Sequence, residues 1–223
     1  MNIKVLIADD QALIRSGLRA IIESEPGLEV VGEAGDGAEA VEAVRRLRPD
    51  VALMDIRMPR LDGVAATRTL IRGAAPVPTK ILILTTFHLD AYVTEALRAG
   101  ASGFLLKEAT ADQLIEAVRV IASGEAILTP SVTRRLLERM AADPAAAGDG
   151  GRQIRGLLSA READVLLLVA RGLSNAEIGA KLHLAETTVK SHVQSMLGKL
   201  GVRDRLQAAV AAYDSGLVRP RGS

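Results

Sequence analysis

Five short apolar stretches, each followed by a helical pattern, set the strongest constraint on what this chain can become. They are IKVLIA (3–8), LEVVGEA (28–34), VALMD (51–55), KILILTT (80–86) and ASGFLLK (101–107). Each is short enough to be a strand buried on both faces. Between them, Ile14, Leu18, Ile21 and Ile22 form one helical stripe. Val41, Val44 and Leu47 form a second, and Leu114, Val118 and Ile121 a third. Five such repeats predict an α/β doubly wound, five-stranded parallel sheet with right-handed crossovers and helices on both faces.

The alternation stops near residue 122. PSVTRRLLERM (130–140) reads as a linker helix with Pro130 in its first turn. AADPAAAGDGGR (141–152) is rich in Ala, Gly and Pro and reads as a flexible linker. Everything after it reads as helix. Ser159 with Glu162 and Ser174 with Glu177 have capping-box spacing. Further helices are expected in ETTVKSHVQSMLGKLG and DRLQAAVAAYDSG, the last with Leu206, Ala209, Val210 and Tyr213 on one stripe. The expected organisation is a sheet domain over 1–122, a linker over 123–152, and an all-α, four-helix domain over 153–218.

Charge separates the two ends. Residues 1–125 carry 14 Lys/Arg against 18 Asp/Glu, whereas residues 153–223 carry 10 against 6. An acidic front and a basic back suit different partners, and the back suits a polyanion. Aromatic residues are 2% of the chain, which disfavours stacking on single strands and leaves duplex DNA as the expected polyanion. There is no cysteine, so disulfides, thiolate metal sites and cysteine nucleophiles are excluded. That suits a reducing cytosol. No apolar run is long enough to span a bilayer, and carboxylates interrupt the first one too early for a signal peptide. A cytoplasmic protein without a membrane association is therefore expected.

In a doubly wound sheet the carboxyl ends of the strands share one edge, where ligands bind. Asp9 and Asp10 end the first strand, Asp55 the third, Thr85 and Thr86 the fourth, and Lys107 the fifth. Any one of these carboxylates could simply cap a helix. Together they form a like-charged cluster that needs a cation, and an all-oxygen set with open positions suits Mg²⁺. Pro59 and Gly63 in RMPRLDG read as turn residues, and His88 as a solvated loop residue.

Residues 1–122 resemble the receiver domain of bacterial two-component response regulators, through ADD, LMDIRMPRLDG, LTTF and GASGFLLK. The resemblance implies that Asp55 is the phosphoacceptor. It implies Mg²⁺ bound by Asp10, Asp55 and the Arg57 backbone carbonyl, with Asp9 acting through water. Thr85 would contact the phosphoryl group and Lys107 would pair with the acyl phosphate. Phe104 occupies the position of a switch aromatic. Thr86 stands where the family more often has a smaller residue.

Residues 155–218 resemble the LuxR-type helix-turn-helix of the NarL/FixJ class, through GLSNAEI, TVKSHV and KLGVRDR. Two helices flank HLAE, and the second places Lys190, Ser191 and Gln194 on one face, with Val189, Val193, Met196 and Leu197 on the other. The resemblance implies that Lys190, Ser191 and Gln194 meet bases. Thr187, Thr188, Lys199 and Arg205 would meet phosphates, as would the helix start at Ser174 and Asn175. Two departures stand out. Ala185 replaces a capping Ser, and Gly179 replaces an Ala at a cost of about 1 kcal/mol unless packing requires Gly.

The whole therefore reads as a transcription factor, phosphorylated by a sensor histidine kinase and homodimeric when phosphorylated. It would bind promoter half-sites, with RNA polymerase a further partner. No catalytic residues are expected. The alternative is an Mg²⁺-dependent phosphohydrolase with Asp55 as nucleophile, which would also need a general acid and a substrate cap.

Overall fold

A computed structural model describes residues 2–85, 90–124 and 150–218. The chain divides into two compact units, Met1–Ile127 and Leu128–Ser223. The expectations for Thr86, His88, the helix at 130–140 and the linker up to 149 fall outside the described residues.

The first unit is a five-stranded sheet of β1 (Ile3–Ala8), β2 (Leu28–Ala34), β3 (Val51–Asp55), β4 (Lys80–Thr85) and β5 (Gly103–Leu106). Every pairing is parallel, in the order β2-β1-β3-β4-β5. The helices are α1 (Ala12–Glu23), α2 (Gly37–Leu47), α3 (Gly63–Arg72), α4 (Asp90–Ala99) and α5 (Ala111–Ala122). Helices α1 and α5 pack together, as do α2 with α3 and α3 with α4, which covers both faces. Strand β3 is buried along its whole length, and β1 and β4 are buried from Val5 and Ile81 onward, which explains their apolar runs. Val5, Ile7, Leu53, Leu82 and Leu84 meet Ile22, Leu114, Val118 and Ile121 in one core.

Local chemistry starts the helices. Asp36 accepts from the backbone of Ala38 and Glu39, Asp62 from Ala65, and Thr110 with Gln113 forms a capping box. The strand order reverses beside β1: β2 lies on one side of it and β3 on the other. The crossovers leave on opposite faces there, so a crevice opens at the carboxyl ends of β1 and β3.

The second unit has five described helices where the sequence suggests four: α6 (Gly150–Leu157), α7 (Ala160–Ala170), α8 (Asn175–Leu182), α9 (Glu186–Leu200) and α10 (Arg205–Asp214). Helix α6 starts inside the expected linker, on two glycines of poor helix propensity. Tertiary contact overrides that propensity. A Cβ on Gly150 would lie 3.2 Å from Ser215 Cβ, and one on Gly151 3.2 Å from the Leu217 nitrogen. The stripe expected on α10 is also too narrow, because Gln207, Ala208 and Ala212 are buried alongside Leu206, Ala209, Val210 and Tyr213.

Candidate functional site: an acidic crevice and a recognition helix

The crevice is built from the ends of three strands. Asp9 is fully buried, Asp55 is 6% exposed, and Asp10 is open to solvent. One carboxylate oxygen from each lies within 4.8 Å of the others. Lys107, just past β5, reaches across to place Nζ 2.6 Å from Asp9 Oδ2 and 3.1 Å from Asp55 Oδ1. Its own backbone N–H donates to the Thr85 carbonyl at 2.8 Å. The sheet therefore delivers Asp9, Asp10, Asp55, Thr85 and Lys107 to one edge. Thr85 is buried, whereas Phe104, inside β5, is half-buried.

The electrostatics show a site short of positive charge. Burial pushes the Asp55 carboxyl up; Lys107 pulls it down, Asp9 pushes it up again, and the net direction is upward. Burial pulls the Lys107 ammonium down, but the hydrogen bond to Asp9 and the charge of Asp55 outweigh it, so it stays protonated. One ammonium thus faces three carboxylates. An all-oxygen donor set with surplus negative charge and one solvent-facing member is compatible with Mg²⁺.

Two arginines absent from the sequence expectations hold this edge in place. Arg15 of α1 donates to the Asp9 carbonyl at 2.8 Å. Arg60, in the loop after β3, ion-pairs with Asp36 and with Glu39, the latter at 2.7 Å, at the start of α2. Arg60 has a φ of 63°, a left-handed conformation that costs a non-glycine residue about 1–2 kcal/mol. Arg57 in the same loop stacks over the Tyr92 ring, 5.8 Å from its centroid. Asp10, Arg57, Asp62, Arg68, Tyr92 and Glu95 line an open cleft of about 540 Å³ beside the acidic cluster.

In the second unit, Ser159 and Ser174 form the expected capping boxes. Helices α8 and α9 are joined by His183, with a φ of 55°, and by a hydrogen bond from Leu184 N to the Gly179 carbonyl. A Cβ on Gly179 would come within 2.7 Å of the Leu184 carbonyl oxygen. Packing therefore requires glycine here. On α9, Val189 and Met196 are fully buried and Val193 and Leu197 half-buried. Thr187, Thr188, Lys190, Ser191 and Gln194 are exposed. Lys190 lies 3.8 Å from Glu186, and Ser191 Oγ donates to the Thr187 carbonyl at 3.1 Å.

Three residues expected at DNA are engaged within the domain. Arg205 donates to the Leu173 carbonyl and to Asn175 Oδ1, and Asn175 is buried. Lys199 Nζ lies 2.6 Å from Glu162 Oε2. Sequence spacing identifies Glu162 as a cap partner, but it carries no sign of this second contact 37 residues away.

Two predictions arise here. The Lys199 hydrogen bond, then those from Ser195 and the Ser159 backbone, lower the Glu162 carboxyl from 4.5 to about 2. A carboxyl depressed by folding adds stability above its unfolded value, and this is lost as pH falls through the folded value. The stability difference between wild type and Glu162→Gln is therefore expected to shrink as pH drops from about 4.5 to about 2, in melts followed by circular dichroism. A constant difference would contradict the pairing. Second, Ala185 provides no side-chain cap for α9. Ala185→Ser is expected to stabilise the unit by about 1 kcal/mol, read as a raised melting temperature.

The comparisons with known proteins agree with this geometry. Residues 5–119 match the response regulator receiver domain, and residues 156–212 match the bacterial regulatory proteins of the luxR family. The chain is 43% identical over 230 residues to the transcriptional regulatory protein DegU of Brevibacillus brevis, covering 99% of this chain and 97% of that protein. It is 36% identical to the response regulator protein VraR of Staphylococcus aureus, covering 98% and 100%. Among solved structures, the RcsB response regulator of Salmonella typhimurium aligns with a TM-score of 0.56 at 28% identity, over 92% of this chain and 98% of that one. No helix among the described residues is long and apolar enough to cross a membrane. The chain belongs to the bacterial response regulators that join a receiver domain to a LuxR-type DNA-binding domain, a family of transcription regulators whose function is phosphorylation-dependent DNA binding.

Proposed function

We propose that Asp55 accepts a phosphoryl group from a sensor histidine kinase, and that the acyl phosphate controls duplex binding by α9. The observation that carries this reading is the cluster of Asp9, Asp10 and Asp55 at the strand-order reversal, with Lys107 on two of them. A carboxylate oxygen of Asp55 attacks phosphorus; the O–P bond forms as the donor's P–N bond breaks, and the leaving imidazole nitrogen keeps the electron pair. Asp10, Asp55 and the Arg57 carbonyl, with Asp9 behind them, would hold Mg²⁺, which would neutralise phosphoryl charge when bound. Lys107 contributes to the same end from the β5 side. The Thr85 hydroxyl, drawn toward a phosphoryl oxygen, and Phe104 on the neighbouring strand β5 transmit the change. Arg57 and Arg68 in the adjoining cleft attract the donor's phosphate.

The phosphorylated chain acts in the cytoplasm as a homodimer on two promoter half-sites, and contacts RNA polymerase from there. Lys190, Ser191 and Gln194 meet base edges; Thr187, Thr188 and the α8 start at Ser174 meet phosphates. The chain is a phosphoacceptor with slow self-dephosphorylation and not a turnover enzyme. The test is duplex affinity, with and without beryllofluoride, across a salt series. Tighter binding in the loaded state, with affinity falling steeply with salt, is expected. Equal affinity in both states would contradict the switch.

A further inference from the structure

One carboxylate of the DNA-binding unit is almost wholly buried yet has no part in the function just described. Glu162, in the first turn of α7, is 4% exposed. Its Oε2 accepts from the Ser159 backbone N–H at 2.7 Å and completes the capping box. A cap alone needs no burial and no second contact. Glu162 has two more. Ser195 Oγ donates to its Oε1 at 2.7 Å, and Lys199 Nζ to its Oε2 at 2.6 Å. Ser195 and Lys199 are four residues apart on one face of α9. A single side chain thus ties the start of α7 to the C-terminal half of the helix whose N-terminal half carries Thr187, Lys190, Ser191 and Gln194.

This tie restricts a motion that the apolar contacts leave open. Val189 and Met196 are the two fully buried side chains of α9, and they lie on one line along it. Val193 and Leu197 beside that line are only half-buried, so a helix seated chiefly on one ridge can still rock about it, and rocking moves its exposed face across the groove. Charge-assisted hydrogen bonds placed off that line oppose the rocking. The geometry also bears on Lys199. To reach a phosphate its ammonium would have to give up the 2.6 Å ion pair with Glu162, leaving that carboxylate to the Ser159 and Ser195 donors alone. Lys199 also lies about 13 Å along the helix from Lys190, at 1.5 Å per residue.

We propose that Glu162 is a positioning residue for DNA binding, fixing the seating of α9 through Ser195 and Lys199, and that Lys199 is its anchor and not a phosphate ligand. This rests on the reading that α9 enters the major groove. The test uses the full chain loaded with beryllofluoride, and a duplex that the wild type selects from a randomised library. Ser195→Ala, Lys199→Met and Glu162→Gln are compared with Lys190→Met. Ser195→Ala carries the result if Glu162→Gln fails to fold, because it removes one tie and leaves the capping box intact.

Ser195→Ala and Lys199→Met are each expected to weaken binding to the selected duplex about tenfold. Ser195→Ala leaves binding to random duplex unchanged. Lys199→Met leaves the slope of log K against log salt unchanged, whereas Lys190→Met reduces it by about 1. A slope reduced by about 0.9 in Lys199→Met would make it a phosphate ligand and overturn the proposal. So would wild-type affinity in Ser195→Ala. A wild type that selects no duplex would instead overturn the groove reading beneath it.

Discussion

Lys107→Met is expected to melt far below the wild type when no divalent cation is present. Its ammonium sits 2.6 Å from Asp9 and 3.1 Å from Asp55, and both carboxylates are buried. Removing one partner of a buried ion pair leaves uncompensated charge and costs about 3–5 kcal/mol. The cost exceeds that of losing a surface pair, because water cannot solvate the orphaned carboxylates. Two compensations follow. Added Mg²⁺ should raise the melting temperature of Lys107→Met more than that of the wild type, since a ligand that binds only the folded state stabilises it. Adding Asp55→Asn should also recover stability, since it removes one of the repelling charges. A Lys107→Met protein that melts with the wild type would show that the crevice tolerates its charges without this lysine.

Gly63→Ala is the second large effect, and its cause is space and not conformational freedom. A Cβ at Gly63 would lie 1.9 Å from the Asp55 carbonyl oxygen and 3.0 Å from its carbonyl carbon. Both are backbone atoms of β3, so the loop cannot yield by turning a side chain. Helix α3 would have to move off the strand, breaking the 2.9 Å hydrogen bond from Gly63 N to the Ile56 carbonyl. Overpacking of this kind costs about 3 kcal/mol or more, and here it also displaces the acceptor. Gly37, at the start of α2, makes a similar contact with the same loop two residues before Gly63, where its N–H donates to the Leu61 carbonyl and a Cβ would lie 2.2 Å from that oxygen. The loop between β3 and α3 is therefore closed onto β3 by Gly63 and held against the start of α2 by Gly37. Gly63→Ala is expected to lose both thermal stability and phosphorylation by a small donor. Wild-type values for both would contradict the clamp.

The elements legible in the sequence are those whose signals are local. The three central strands are apolar runs because both of their faces are buried, and the five expected spans fall on the five observed strands. Ser159 and Ser174 announce their helices through hydrogen bonds that span three residues. The acidic crevice follows from strand ends alone, because a doubly wound sheet brings those ends to one edge whatever the loops do. What is not legible depends on partners distant along the chain. Gly150 and Gly151 look like a linker because their packing against Ser215 and Leu217 lies more than sixty residues ahead. Arg60 looks like a solvated loop residue until α2 brings Asp36 and Glu39 to it. For Lys199 and Arg205 the sequence suggests a phosphate role and carries no sign of their contacts within the domain, which arise only where α9 packs on α7 and α10 meets the α8 start. The expected stripe on α10 is buried as read, but the buried surface is wider, because periodicity shows which face is most apolar and not how many faces are covered.

The account turns on Asp55 as the phosphoacceptor. Intact mass after incubation with Mg²⁺ and acetyl phosphate, for the wild type and Asp55→Asn side by side, tests this most directly. The account predicts a gain of one phosphoryl group in the wild type and none in Asp55→Asn, with the wild-type gain abolished when Mg²⁺ is chelated. An equal gain in both proteins would place the acceptor elsewhere. A wild type that gains no mass from acetyl phosphate and whose melting temperature beryllofluoride leaves unchanged would contradict the phosphorylation switch itself.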